Sequence, residues 1–185
     1  MSQIKLFITD FDGTLVNTFN ANLLAYQEAF SAIGRTISEE EYRRCFGLRF
    51  DDFMEAMNVR DTETRERIRQ KKADVYPNYF SHFVINTPLL GMLKAFRLSG
   101  GLTALASTAR KTNLLNAITF IGANEVFSYV LSGEDVLNGK PDPEIYENIL
   151  FHFGISPNEA LVFEDSEVGV QAASNAGIQV VRVVL

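Results

Sequence analysis

Two aspartates, Asp10 and Asp12, stand two residues apart directly behind a largely apolar run at residues 4–9. Such a run predicts a buried strand, and parallel sheets bind their ligands at the carboxyl ends of their strands. Two carboxylates there, followed by a glycine turn at Gly13 and Thr14, predict a site for a divalent metal and a phosphate. The alternative is a surface strand that ends in acidic turn residues, because Asp and Gly are common turn formers. These five residues alone leave both interpretations open.

Three further polar clusters follow later predicted strands. They consist of Ser107 and Thr108, of Gly139 to Asp142 around Lys140, and of Glu164, Asp165 and Ser166. Taken singly, each has a plain structural explanation as a helix-capping serine, a solvated lysine or a helix-capping acidic pair. Together they would bring a hydroxyl, a cation and a metal-binding acid to the strand end that carries Asp10, which favours one shared site.

The elements that must position these residues alternate between strand and helix. Apolar runs predict strands, and helical patterns closed by glycines predict the helices between them. The predicted strands span residues 4–9, 102–107, 129–131, 160–163 and 178–184, and the predicted helices span residues 89–99, 113–121, 143–153 and 168–176. Such alternation predicts an α/β fold, a parallel sheet with helices on both sides.

One stretch interrupts this rhythm. From residue 17 to about residue 85 no strand is apparent, and the pattern predicts successive helices. These helices span residues 18–33, 39–46, 50–57 and 62–83, and Ser38 followed by Glu41 fits a capping box. We therefore expect an α/β core domain of residues 1–16 and 86–185 with an inserted helical cap domain at 17–85. Because the insertion leaves the fold beside Asp10 and Asp12, it could act as a lid.

Composition narrows the classes of partner. Of 185 residues, 46% are hydrophobic and 22% charged, which is typical of a soluble globular protein. A net charge of −6 argues against a nucleic acid or an anionic membrane as partner.

There is neither a leader-like amino terminus nor a stretch near the roughly 20 apolar residues of a membrane span, so we expect a cytoplasmic protein. Cys45 is the only cysteine, which excludes an intramolecular disulfide and a cysteine-based zinc site. The oligomeric state is left open.

The four clusters, in this order, resemble the motifs of the haloacid dehalogenase superfamily, whose signature is Asp-x-Asp-Gly-Thr, then a Ser or Thr, then a Lys, then an acidic pair. The resemblance is nearest to the phosphoglycolate phosphatase and β-phosphoglucomutase-like branch, which has a helical cap in the position of residues 17–85. Residues 139–146 and 164–177 carry it most specifically. It implies a Rossmann-like core and phosphoryl transfer that depends on Mg²⁺.

The residues of the first motif suit the roles that phosphoryl transfer requires, namely an in-line nucleophile and a proton for the leaving group. Asp10 suits the nucleophile, although a role as metal ligand only is the alternative. Asp12 can protonate the leaving alkoxide and later accept a proton from water. Gly13 and Thr14 allow backbone N–H groups to face the phosphate. The resemblance implies that the backbone carbonyl of Asp12 is a metal ligand.

The later motifs supply the charges and hydroxyls around the phosphate. Ser107 offers a hydroxyl, and its neighbour Thr108 could substitute for it. Lys140 is the cation, and the resemblance implies that it bridges the nucleophile and the phosphate. Asp165 is expected to be the third protein ligand of Mg²⁺, with Glu164 orienting a metal-bound water or Lys140.

Substrate selection is expected to depend on the cap, where Asn22, Arg44, Gly47 and Arg49 are candidates. An arginine there could bind a second anionic group, and a plain solvent-exposed arginine is the alternative. Asn22 stands where the mutases of the family have a cap histidine, which argues against mutase activity. The presence of Asp12 argues against carbon–halogen hydrolysis, because the dehalogenases lack this second aspartate.

The sequence thus predicts a Mg²⁺-dependent phosphatase that acts on a small phosphorylated metabolite through an aspartyl-phosphate. Two alternatives remain. One is a sugar-phosphate mutase of the same superfamily, which would pass the phosphoryl group to a second hydroxyl of the substrate. The other is a non-catalytic module that binds a phosphorylated metabolite.

Overall fold

A computed structural model describes residues 3–185 and contains a five-stranded sheet in which every neighbouring pair of strands is parallel. Its strands are β1 (Leu6–Thr9), β4 (Leu102–Ala106), β5 (Tyr129–Leu131), β6 (Ala160–Glu164) and β7 (Gln179–Arg182). The spatial order is β5-β4-β1-β6-β7. This confirms the predicted α/β fold, and it puts β1 at the centre, where both faces of a parallel sheet are covered.

Four helices connect these strands. They are α5 (Thr87–Leu98), α6 (Lys111–Phe120), α7 (Glu144–Phe153) and α8 (Glu167–Asn175). Apolar side chains of α7 and α8, including Tyr146 and Ala172, pack with Leu6 and Ile8 of β1 in one buried cluster. Because successive strand residues point to opposite faces, Phe7 faces the other way, and its ring stacks on Phe96 of α5 at 3.9 Å between centroids.

The chain divides into two compact units, and the described residues up to Asn17 form the first together with Val84–Leu185. The second unit, Thr18–Phe83, is helical. Its helices are α1 (Phe19–Ser31), α2 (Glu39–Cys45), α3 (Phe50–Ala56) and α4 (Thr62–Val75). They enclose a core of their own in which Phe30, Phe53 and Ile68 are buried. The predicted capping box is present at the start of α2, where the Ser38 hydroxyl accepts from the Glu41 N–H.

Two sequence predictions within residues 17–85 were wrong. Two short strands, β2 (Val16–Asn17) and β3 (Val84–Ile85), pair antiparallel where no strand was predicted. A strand of two residues is too short to show a pattern of alternation. The helix predicted at 62–83 ends as an α-helix at Val75 and continues as a 3₁₀ helix over Tyr76–His82, because Pro77 has no backbone N–H to donate.

Across residues 3–185, none of the helices is both long enough and apolar enough to span a bilayer.

Candidate active site

The predicted site residues of the sheet meet at its carboxyl edge. Asp10 directly follows β1, and its N–H donates to the carbonyl of Phe163 in β6 at 3.0 Å. On the other side of β1, Ser107 directly follows β4, and its N–H donates to Leu131 of β5 at 3.0 Å. These bonds continue the ladders beyond the strand ends, so the backbone holds both side chains at adjacent positions.

Lys140 lies in the loop between β5 and α7, and only 3% of its side chain is exposed. Its Nζ donates to Oδ1 of Asp10 at 2.7 Å, to Oε1 of Glu164 at 2.5 Å and to the carbonyl oxygen of Ala106 at 3.2 Å. An ammonium group has three N–H donors, and these acceptors use all three. Lys140 is therefore a buried cation shared by two carboxylates.

Glu164, the last residue of β6, is completely buried. Its Oε1 accepts from Lys140 and, at 3.3 Å, from the Tyr146 hydroxyl, while Oε2 accepts from the N–H and the hydroxyl of Ser166 at 3.1 and 3.0 Å. The carboxylate also lies against Gly169 of α8, where a Cβ atom would overlap it. Glu164 thus contacts Lys140 directly, and its predicted role of orienting Lys140 or a metal-bound water stays a prediction.

Asp165 is held from the opposite end of the chain. Its Oδ1 accepts a 2.6 Å hydrogen bond from the hydroxyl of Thr14. Gly13 has a φ of 94° and passes so near the Asp165 carboxylate that a Cβ there would overlap it, so both backbone conformation and space require glycine. The N–H of Gly13 donates to Val16 at 2.8 Å within the turn. The predicted contact of this N–H with phosphate would have to compete with that bond.

Ser107 and Asp12 face each other across the site. The Ser107 hydroxyl lies 3.5 Å from Oδ2 of Asp12 and accepts from the N–H of Ala109 at 3.0 Å. The backbone of Thr108 is packed against Gly133, where an added Cβ would overlap the Thr108 carbonyl. The loop that follows β4 is thus fixed on both sides of the Ser107 hydroxyl.

Sequence reasoning missed the residues that hold the loop of Lys140. The carboxylate of Glu144, at the start of α7, accepts from the N–H groups of Leu137 and Asn138 at 2.8 and 2.7 Å. The side chain of Asn175 in α8 donates to the carbonyl of Pro141 at 3.1 Å. Such roles leave no periodic signal, although Glu144 stands within the segment 139–146 that carried the family resemblance.

The site holds more acidic than basic groups, and burial shifts the pKa values of several of them. Burial raises the pKa of Asp10 well above its ordinary value, against the opposing charge of Lys140. Burial alone would lower the pKa of Lys140, but the negative charges around it, above all that of Asp10, raise it well above its ordinary value. Burial also raises the pKa of Asp165, opposed by the Thr14 hydrogen bond. Lys140 supplies one positive charge beside the carboxyl groups of Asp10, Glu164 and Asp165, and a divalent cation would supply two more.

Carboxylate oxygens of Asp10, Glu164 and Asp165 lie within 4.8 Å of one another, which is a donor set that Mg²⁺ can use. Both oxygens of Glu164 already accept hydrogen bonds from Lys140, Tyr146 and Ser166. Asp10 and Asp165 are therefore the carboxylates best suited to hold a metal ion, and Glu164 is better suited to hold Lys140.

The four candidate residues of the inserted helices lie in the second unit. Asn22 is buried within that unit, where its Nδ2 donates to the Thr18 hydroxyl at 3.0 Å and to the Tyr76 hydroxyl at 3.2 Å. Arg44 forms an exposed ion pair with Glu40. Gly47 has a positive φ, and Arg49 is the N-cap residue of α3. Their roles in substrate selection remain predictions.

Comparison with known proteins identifies the family. The family described as haloacid dehalogenase-like hydrolase matches residues 7–183. The chain is 30% identical to the phosphorylated carbohydrates phosphatase of Thermotoga maritima, over 95% of this chain and 83% of that protein. It is 31% identical to protein CbbY of Rhodobacter capsulatus, over 97% of this chain and 85% of that protein.

Solved structures agree on the fold. CbbY of Rhodobacter sphaeroides in complex with phosphate has a TM-score of 0.87 and 24% identity, over 96% of this chain and 85% of that one. A variant of the same protein in complex with xylulose-(1,5)bisphosphate also has a TM-score of 0.87, with 23% identity over the same shares. The family predicted from the four motifs is confirmed: the chain belongs to the haloacid dehalogenase-like hydrolases, as one of their phosphoric monoester hydrolases.

Proposed function

We propose that this protein is a Mg²⁺-dependent phosphatase that hydrolyses a small phosphorylated carbohydrate through an aspartyl-phosphate on Asp10. The observation that carries the proposal is the contact of the buried Asp10 carboxylate with Lys140, beside Asp12 and the Ser107 hydroxyl. A binding module needs a cation for phosphate, but it has no need of a carboxylate aimed from a strand end with a second one two residues later. Carbohydrate as substrate class is supported by the Thermotoga maritima relative.

In the first half-reaction an oxygen of Asp10 attacks phosphorus, the bond from phosphorus to the ester oxygen breaks, and the Asp12 carboxyl gives that oxygen its proton. Lys140 and Ser107 stabilise the charge on the phosphoryl oxygens, because each can donate a hydrogen bond at the strand edge. Mg²⁺, held by Asp10 and Asp165 and by the Asp12 carbonyl that the family implies, would neutralise negative charge between nucleophile and phosphate.

In the second half-reaction water attacks the phosphorus of the aspartyl-phosphate while Asp12, now ionised, takes the water's proton. The bond from Asp10 to phosphorus breaks, and inorganic phosphate leaves. Asp10 is again a carboxylate paired with Lys140, and Asp12 is again protonated, so the cycle closes without any further reactant.

The test is phosphate release from a panel of phosphorylated carbohydrates and other metabolites, with and without Mg²⁺. We expect the wild-type protein to hydrolyse at least one sugar phosphate only with Mg²⁺, and Asp10→Asn to lose about 10³-fold or more of kcat. Asp74→Asn, an exposed change in the second unit, is the matched control and should retain full activity. Undiminished hydrolysis of an aryl phosphate by Asp10→Asn would overturn the mechanism, and isomerised sugar phosphate in place of phosphate would show a mutase.

A further inference from the structure

Tyr146 is a completely buried residue of α7 that touches both members of the Lys140–Glu164 ion pair. Its hydroxyl donates to Oε1 of Glu164 at 3.3 Å. Nζ of Lys140 lies 5.3 Å from the centre of its ring, within the range of a cation–π interaction. Tyr146 is not a candidate nucleophile, acid/base, cation or metal ligand of the four motifs.

The hydroxyl of Tyr146 donates to the same carboxylate oxygen of Glu164 that accepts from Lys140. Oε1 of Glu164 therefore accepts two donors, and Oε2 accepts two more from Ser166. A carboxylate that accepts four hydrogen bonds would have to break some of them to rotate or to move toward a metal ion. Burial raises the pKa of the phenol of Tyr146, so the group stays a donor.

The ring of Tyr146 contacts Lys140, the other member of the ion pair. A lysine side chain has a long flexible stem that can hold its ammonium in many places. The ring fills the space beside Nζ of Lys140 with an apolar surface whose face attracts a cation. It thus leaves Asp10, Glu164 and the Ala106 carbonyl as the positions toward which Lys140 directs its hydrogens.

We propose that Tyr146 is a positioning residue, whose hydroxyl and ring hold the Lys140–Glu164 pair so that the lysine ammonium faces the oxygen of Asp10. The inference rests on the proposed function, because it concerns the attack by Asp10 on phosphorus. Tyr146 makes no contact with substrate in this role. It acts through Lys140, whose charge must lie beside the carboxylate that carries the phosphoryl group.

The test compares Tyr146→Phe with Tyr129→Phe in the full chain. Tyr146→Phe removes only the hydroxyl, while Tyr129 lies on β5, where its ring stacks on His152, and serves as the matched control. The probe is beryllium trifluoride with Mg²⁺, which mimics a phosphoryl group on a carboxylate. Calorimetric titration gives both the number of competent sites and their affinity, and kcat is measured with the best substrate of the panel.

We expect Tyr146→Phe to bind the probe about tenfold more weakly at an unchanged stoichiometry, and kcat to fall about tenfold, since a bond to a charged group is lost. Tyr129→Phe should match the wild type. Tyr146→Leu, which removes the ring as well, should lose more than Tyr146→Phe in both measurements.

An unchanged affinity of Tyr146→Phe for the probe would overturn the inference. So would a lower stoichiometry at unchanged affinity, because that result means fewer folded molecules and a merely structural role. If the wild-type protein releases phosphate from nothing in the panel, the proposed function fails. The probe titration still decides the role of Tyr146 in that case, because it requires no turnover.

Discussion

The hydroxyl of Thr14 donates a 2.6 Å hydrogen bond to the carboxylate of Asp165, although the two residues are 151 positions apart in the chain. This bond joins the first motif to the fourth. It fixes one oxygen of Asp165, so that the carboxylate is already oriented for the metal ion that we propose it binds. Partners of this kind tune metal affinity without touching the ion.

Thr14→Val keeps the shape of the side chain but removes the donor to Asp165. We expect the Mg²⁺ concentration needed for half-maximal activity to rise about tenfold, the lower end of the effect of losing such a partner. The matched control is Thr119→Val, because the Thr119 hydroxyl is exposed and contacts Asn124. A Mg²⁺ titration of the activity of each variant measures this concentration. Equal midpoints for Thr14→Val and wild type would contradict the prediction.

Gly169→Ala should both destabilise the protein and disturb the site. The new methyl group would overlap the Glu164 carboxylate, which four hydrogen bonds hold in place. We expect the free energy of unfolding to fall by about 2 kcal/mol, as for other overpacked interiors. Urea denaturation measures this change.

Gly91→Ala is the control for Gly169→Ala. Gly91 is a helical glycine of α5 with nothing within 4 Å of the position that its Cβ would take. Alanine favours a helix over glycine, so Gly91→Ala should raise the free energy of unfolding by about 0.5–1 kcal/mol. Equal shifts for the two variants would show that the Glu164 carboxylate yields to the methyl group.

Lys140→Met should lower stability as well as activity, because it leaves the carboxylates of Asp10 and Glu164 buried without their cation. Breaking a buried pair in this way costs about 3–5 kcal/mol of unfolding free energy. The exposed Lys94→Met of α5 should stay within about 0.5 kcal/mol of wild type.

The double variant Lys140→Met/Glu164→Gln separates charge from packing. Removing the charge of Glu164 should restore part of the stability that Lys140→Met loses, because one uncompensated carboxylate is gone. If the double variant is less stable than Lys140→Met, the loss arises from packing and not from unbalanced charge.

Asp135 gives a prediction on pH. Burial alone would raise the pKa of its carboxyl, but hydrogen bonds from Lys111 and Ser132 lower it below its ordinary value of 3.8. Because the pKa of Asp135 is lower in the folded state, its carboxylate stabilises the fold above pH 3.8. This stabilisation is lost as pH falls through the folded-state pKa.

Asp135→Asn should therefore lower the free energy of unfolding by about 1 kcal/mol at pH 7, the typical value of one hydrogen bond. The difference from wild type should shrink as pH falls below 3.8. Thermal unfolding of both proteins from pH 7 to pH 3 measures it, and a gap that is constant over this range would rule out the charge of Asp135 as its origin.

The sheet and the meeting of Asp10, Lys140 and Asp165 were predictable because they depend on chain order. Apolar runs mark buried strands, and parallel strands bring their carboxyl ends to one edge, whatever the details of packing. The helix predicted at 62–83 was too long, because its charge pattern continues toward Pro77. Pro77 lacks a backbone N–H, and this outweighed the pattern, so the α-helix ends at Val75.

What could not be predicted depends on which way a side chain points. Tyr146 and Gly169 stand in segments whose spacing is that of ordinary amphipathic helices, and only the structure shows that both face the Glu164 carboxylate. The hydrogen bonds of Glu144 to the Lys140 loop also leave no signal in the sequence, because a glutamate at the start of a helix is common for electrostatic reasons alone.

The antiparallel pair formed by β2 and β3 has a consequence for how the chain can be rebuilt. Asn17 stands opposite Val84, so the two points where the helical insertion is attached are neighbours across a strand pair, about 5 Å apart. A two-residue Asn-Gly turn is enough to close such a gap. Residues 18–83 thus form a separate unit, which protein engineering could remove or exchange for that of a relative while the strand ends that hold Asp10, Ser107 and Glu164 stay as they are.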